Sequence, residues 1–136
     1  MIAWKEEKNG KIYEIDAKEP VTLYEKTSAL TEVIPEITIL VYEKTESIFD
    51  KCECYIMHVR LLRTKKVEIS VEKTDSAYFP TQRIPITTKE WAINYSTAWF
   101  LYLDELREKI RENGVLKTIK EILKLLEIPP ECFPIK

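Results

Sequence analysis

Glycine is nearly missing: Gly10 and Gly114 are the only two in 136 residues. Two isolated glycines cannot build a glycine-rich phosphate loop or a dinucleotide fingerprint. Histidine is scarcer still, with His58 alone, so any nucleophile–base pair would have to use that one ring. Its expected cross-strand neighbour Ser70 falls in mid-strand, without the sharp elbow that exposes a nucleophilic hydroxyl. Cys52, Cys54 and Cys132 make an odd count with no C-x-x-C pair, which argues against a secreted disulfide framework. A zinc site would need all three with His58, and C-x-C on a strand lacks the turn that zinc knuckles use. Small buried thiols are the simpler reading, and no metal or cofactor is expected.

No apolar run approaches the roughly 20 residues of a membrane span. The opening "MIAWKEEKNGK" has no apolar centre of the signal-peptide kind, so no membrane partner and a cytoplasmic location are expected. Asparagine and glutamine amount to Asn9, Gln82, Asn94 and Asn113, against abundant lysine, glutamate and isoleucine. That balance is the kind found in thermophiles. At this length, with 45% hydrophobic and 32% charged residues, one globular domain is expected.

The net charge of −2 conceals segregation. Residues 1–50 carry six lysines against eleven acids, and residues 51–86 carry seven basic residues against four acids. The basic excess peaks in "HVRLLRTKK", where Arg60, Arg63, Lys65 and Lys66 occur without an acid. A local basic feature on an acidic chain is either a solubilising hairpin tip or a partner site.

The first segment predicts a hairpin about Asn9-Gly10, the dipeptide suited to a type I′ turn. Pairing about it sets Trp4 opposite Ile15 and Glu6 opposite Tyr13 on a core face, with Lys5 and Glu14 on a wet face. "TSALTEVIP" predicts a short helix or turn closed by Pro35. "EITILVYEK", "ECYIMHVRLL" and "KVEISVEK" alternate as strands, the last two opposing residues 61 and 67, Arg60 and Glu68, and His58 and Ser70. After the loop "TDSAYFPTQ", Pro85 marks "RIPI" as an edge. Thr87-x-x-Glu90 matches a capping box, so one helix is expected from 87 to about 112, stopped by Asn113-Gly114. A second helix repeats apolar residues at 115, 116, 119, 122, 123 and 126, with Lys117, Lys120 and Lys124 on its wet side. Pro129-Pro130 ends it and leaves a short tail, 129–136. The expected class is α+β: an antiparallel sheet of about five strands (1–86) packed on a long C-terminal helical hairpin (87–128).

Between residues 78 and 100 lie Tyr78, Phe79, Trp91, Tyr95, Trp99 and Phe100. On a helix most of these rings would be core. Tyr78 and Phe79 sit in the loop beside Pro80 and Arg83, placed either to stack on a ligand or to close over the sheet as a lid. Acid pairs such as Asp104-Glu105 and Glu6-Glu7 fall on outward faces, so general acid–base chemistry finds no support. Asn94-Tyr95-Ser96 matches a glycosylation sequon by chance inside the expected helix.

From residue 53 to about 112 the order is a basic-tipped hairpin, an aromatic loop, a "Q-R-I-P-I-T" extension and an aromatic helix. That order resembles the small archaeal single-stranded DNA-binding proteins of the ThermoDBP type and the similar proteins of rod-shaped archaeal viruses. The resemblance implies a sheet backed by helices, commonly dimeric, whose cleft holds single-stranded DNA or RNA without catalysis. It would make Arg60, Arg63, Lys65, Lys66 and Arg83 phosphate contacts and Tyr78 and Phe79 stacking rings. The alternative is a protein–protein interaction or regulatory accessory module, archaeal or viral, dimerising through the helix 87–112.

Overall fold

The computed structural model describes residues 1–18, 35–62, 66–92 and 97–135. Six strands run in chain order across one antiparallel sheet: β1 (Ile2–Lys8), β2 (Lys11–Ala17), β3 (Glu36–Glu43), β4 (Cys54–Leu61), β5 (Lys66–Thr74) and β6 (Arg83–Ala92). A short 3-10 turn, Trp99–Leu101, leads into α1 (Leu103–Asn113), and α2 (Val115–Leu125) follows after one residue. The class is α+β, with six strands among the described residues where about five were expected.

The hairpin β1–β2 forms as its turn chemistry requires. Asn9 and Gly10 take φ of 52° and 75°, the positive values of a type I′ turn. Trp4 faces Ile15, Glu6 faces Tyr13 and Lys5 faces Glu14. The β4–β5 register also follows the alternation, with Leu61 opposite Val67, Arg60 opposite Glu68 and His58 opposite Ser70.

The expected helix from 87 to 112 is overturned in its first part. Arg83–Ala92 is a strand paired along its length with β5, and Thr87 and Glu90 oppose Val71 and Glu68 instead of capping a helix. The strand-rich part therefore extends to Ala92, beyond the boundary at 86. Local and long-range preferences compete here. Ile84, Ile86, Thr87 and Thr88 are β-branched and suit a pleated surface, and the uncovered edge of β5 supplies backbone partners that an isolated helical turn lacks. Pro85 does lie on an edge strand, beside a register shift at Val71/Glu72. The expected turn within 27–35 falls, except for Pro35, outside the described residues, as do Tyr95 and the sequon.

Alternation gives each strand an inward face. Ile15, Ile39, Met57, Val59 and Ile69 are fully buried on that side, against Phe100, Leu106, Ile119 and Ile122 of the helical layer. Each such side chain contributes about 1.5–3 kcal/mol on leaving water. In α2 the predicted apolar positions 115, 116, 119, 122, 123 and 126 are all buried. The tail is not loose: Phe133 is 1% exposed and sits edge-on to Tyr55. Gly114 separates the two helices with φ 79° and ψ 171°, a region open almost exclusively to glycine.

Candidate functional site

Among the described residues the sheet's second face carries no helix. Its rows can be read from the strand register, because residues directly opposite one another share a face. One row runs Lys5, Glu14, Leu40, Ile56, Glu72 and Pro85; the next runs Asp16, Thr38, His58, Ser70 and Thr88; a third runs Glu36, Arg60, Glu68 and Glu90. At one end the face is roofed by the loops 44–53 and 75–82. Leu40, Tyr42, Cys54 and Ile56 form a small second core there, with Ile12, Cys52 and Ala77 packed on it.

Those two loops present rings to solvent. Phe49 and Phe79 stack with centroids 4.9 Å apart and planes 19° from parallel, yet remain 70% and 51% exposed. Ile48 beside them is 52% exposed. The loop 75–82 is shaped by Asp75, whose carboxylate accepts from the Thr81 and Gln82 amides at 2.8 and 3.1 Å and from Lys51 Nζ at 2.8 Å. Thr81 also donates its hydroxyl to Asp75. These donors hold the Asp75 carboxyl well below the ordinary carboxylate range, Lys51 first and the Thr81 hydroxyl next.

Tyr78 and Phe79 behave differently although adjacent. Tyr78 turns its hydroxyl down to Glu14 Oε1 at 3.1 Å and lies 3.1 Å from the Tyr42 hydroxyl. Tyr42 donates to the same Glu14 oxygen at 3.2 Å, and Lys5 Nζ is 3.1 Å from it. Lys5 also donates to the Tyr78 hydroxyl, which raises the Lys5 pKa above its ordinary value, with Glu14 adding to the effect against partial burial. Glu14 is 2% exposed. It was expected on a wet face, and the loop that carries Tyr78 closes that face over it. A carboxylate so enclosed accepts from three elements and offers nothing to a substrate. Burial, then Tyr78, pushes the Tyr42 phenol far above its usual value.

Asp16, two residues along the same face, has one oxygen, Oδ1, with no hydrogen-bond partner. Its carboxyl is pushed up to about 7, by burial first and then by the charge of Glu14. Sequence reasoning passed over Glu14–Asp16, although the alternation of Tyr13 and Ile15 with two acids is visible in "IYEID".

The predicted cations divide between the two ends of the face. Arg83, at the ring end, donates to Glu72 Oε1 at 2.8 Å. Arg60 lies at the opposite end and donates through Nε to Glu68 at 2.8 Å, which raises its guanidinium pKa further. Lys66 opens β5 at that same end, exposed and without an ion pair among the described residues. Arg63 and Lys65 lie outside the described residues. The nine residues of β5 separate the two ends by about 25 Å at 3.3 Å per residue. His58 stands midway, its Nδ1 3.2 Å from the Thr38 hydroxyl and its Nε2 4.0 Å from Glu72.

Tyr78, Phe79 and Arg83 thus lie at one end of the sheet, while Arg60 and Lys66 lie at the other end of the same face. Phe49 was missed. Its only signal was a lone ring in the polar stretch "KTESIFDK", and a ring's exposure is not written in its neighbours. Among the described residues no group of three or more His, Cys, Asp or Glu side chains is arranged to hold a metal ion. No helix among them is long and apolar enough to cross a membrane. No family model matches the chain, and neither a curated protein nor a solved structure proved significantly similar to it.

Proposed function

We propose that this chain is a non-enzymatic single-stranded nucleic-acid-binding protein that lays the strand along the open sheet face, from the Phe49–Phe79 end toward the basic hairpin. The supporting observation is the stacked ring pair, 70% and 51% exposed at the edge of that face. Rings left in water forgo the stabilisation of burial, whereas an unpaired base stacked on a ring contributes about 1–3 kcal/mol. Arg60, Lys66 and Arg83 lie on the same face as one another, which suits backbone contacts along it.

Charge carries less of this reading than the sequence suggested. Arg60 and Arg83 each hold a carboxylate, so a phosphate would replace one anionic partner with another and displace few counterions. Stacking then dominates, and sequence preference is small. The test is fluorescence anisotropy of labelled oligo-dT and oligo-U against the full chain, with Phe49→Ala and Phe79→Ala variants. Each ring variant is expected to weaken binding by about tenfold, from the stacking lost. The salt slope should stay near that of one or two phosphates neutralised, about −0.7 to −1.4. No binding of either oligonucleotide at low salt rejects the proposal.

A protein partner is the second reading, favoured by Ile48, the chain neighbour of Phe49, which is also an exposed apolar side chain. Aromatic side chains at the centre of a patch dominate protein interfaces. The helix 87–112 no longer supplies the dimer surface, because its first part is the edge strand β6. Size-exclusion chromatography without nucleic acid separates the readings: a homodimer abolished by Phe49→Ala belongs to the second.

A further inference from the structure

On the helical layer, across the sheet from the open face, α2 and the tail after Pro129 flank an open groove of about 260 Å³. Leu123, Ile128, Phe133 and Ile135 line it, and Lys120 and Lys124 stand on its rim. Lys117 extends the row one turn back, at the three- and four-residue spacing that shares a helix face. None of these three lysines makes an ion pair or hydrogen bond among the described residues. On the open face Lys5, Lys18, Arg60 and Arg83 each hold a carboxylate, and Lys66 there stands unpaired among the described residues without a neighbouring lysine row. Among the described residues no acidic side chain lines the groove.

We propose that this groove docks an acidic peptide segment of a partner protein, which seats one bulky apolar side chain between α2 and the tail while its carboxylates meet Lys117, Lys120 and Lys124. Charge complementarity selects the occupant. Lysines without partners gain most from an incoming anion, since no existing bond is given up. The floor then decides among anionic ligands. Phe133 is the one ring in the groove and is 1% exposed, so no ring face is open to a base. Leu123 is 9% exposed and Ile128 and Ile135 are half-buried, so no large apolar side chain of the groove stands clear of the surface to insert into a lipid layer. A recessed apolar floor with a cationic rim takes a projecting side chain on an acidic segment, the helix-in-groove or extended-peptide arrangement.

The experiment uses the full chain and a fluorescein-labelled synthetic peptide with a central Leu-Leu flanked on both sides by Asp and Glu. Fluorescence anisotropy is the readout. A charge-reversed peptide, a peptide with Ser-Ser at the centre, labelled oligo-dT and phosphatidylglycerol vesicles are run beside it. Of the three peptides only the acidic Leu peptide is expected to bind saturably, and oligo-dT held at the ring face should not displace it. That binding should weaken by about tenfold or more in Lys120→Glu/Lys124→Glu, as reversed rim charges do at interfaces. Both lysines are exposed, and an unchanged circular dichroism spectrum checks that this variant is folded. Amide resonances of residues 120–135 should shift on titration. Several results overturn the proposal: no saturable binding, equal affinity for the Ser-Ser peptide, shifts confined to other residues, or oligo-dT or vesicles competing with the peptide for the same lysines. The outcome is independent of the ring-face reading, because Phe49→Ala should leave it unchanged.

Discussion

The Tyr78 hydroxyl donates to Glu14 Oε1 across 3.1 Å, joining a loop after β5 to the second strand of the sheet, 64 residues away. That single bond positions one end of the loop that carries Phe79, while Asp75 positions the other. The exposed ring is thus flanked by two polar anchors, one on each side of it in the loop.

Tyr78→Phe keeps the ring and removes the donor. Glu14, 2% exposed, then loses one of its three partners. The expected cost is about 1–3 kcal/mol, the range for a buried acceptor deprived of a donor. Urea denaturation measures it, and an unchanged midpoint would show that the Tyr78 bond contributes nothing.

Asp16 makes stability depend on pH in an unusual direction for an acid. Its carboxyl is raised from 3.8 to about 7, by burial and then by Glu14, so the folded state holds a proton that the unfolded state has released. Its favourable contribution is therefore complete below about pH 4 and is lost as pH rises through about 7. Asp16→Asn should melt higher than the parent at pH 8, with the difference shrinking toward pH 4. Thermal melts across that range decide it.

Asp75 shows the opposite sign. Its carboxyl is held below the usual range by Lys51 and Thr81, so its contribution exists above the ordinary carboxylate pKa and is lost as pH falls below it. Asp75→Asn is expected to free the loop without unfolding the sheet. Hydrogen exchange should accelerate at the Thr81 and Gln82 amides, and equal protection in the variant would refute the anchoring role.

Gly114 sits at φ 79° and ψ 171°, where any Cβ is strained. Gly114→Ala should cost about 1–3 kcal/mol, and a Cβ there would also meet Glu6 Oε1 at 2.9 Å. Gly10→Ala meets nothing within 4 Å, so its cost is conformational only. Denaturant midpoints of the two variants should rank in that order.

Phe49 supports no buried structure, so Phe49→Ala should change stability by no more than about 0.5 kcal/mol while weakening oligonucleotide binding. A large loss of stability would mean that the ring pair holds the two loops together instead of awaiting a ligand.

How much was legible varied with the range of the interactions concerned. The Asn9-Gly10 turn, the β4–β5 register and the buried positions of α2 were readable because each depends on φ preferences or side-chain periodicity within a few residues. The segment 83–92 was misread because "TTKE" carries a helix-start pattern. Its outcome depended on β5, whose paired residues lie 9 to 26 positions upstream. The basic hairpin and the ring loop looked close along the chain, yet β5 lies between them and holds them at opposite ends of one face.

Local chemistry decided that the chain turns at Asn9-Gly10, which strand residues face inward and where α2 begins, since torsional preference and alternation act over one or two turns of backbone. The helix α2 ends at Leu125, ahead of the Pro129-Pro130 stop that was expected. Folding in three dimensions decided that 83–92 is an edge strand, that Glu14 is sealed beneath Tyr78, that Phe49 meets Phe79, and that Arg60 and Arg83 are already neutralised. Those outcomes rest on contacts between residues 8 to 64 positions apart. Which distant groups meet depends on how the whole sheet is ordered, and no short window of residues contains that information.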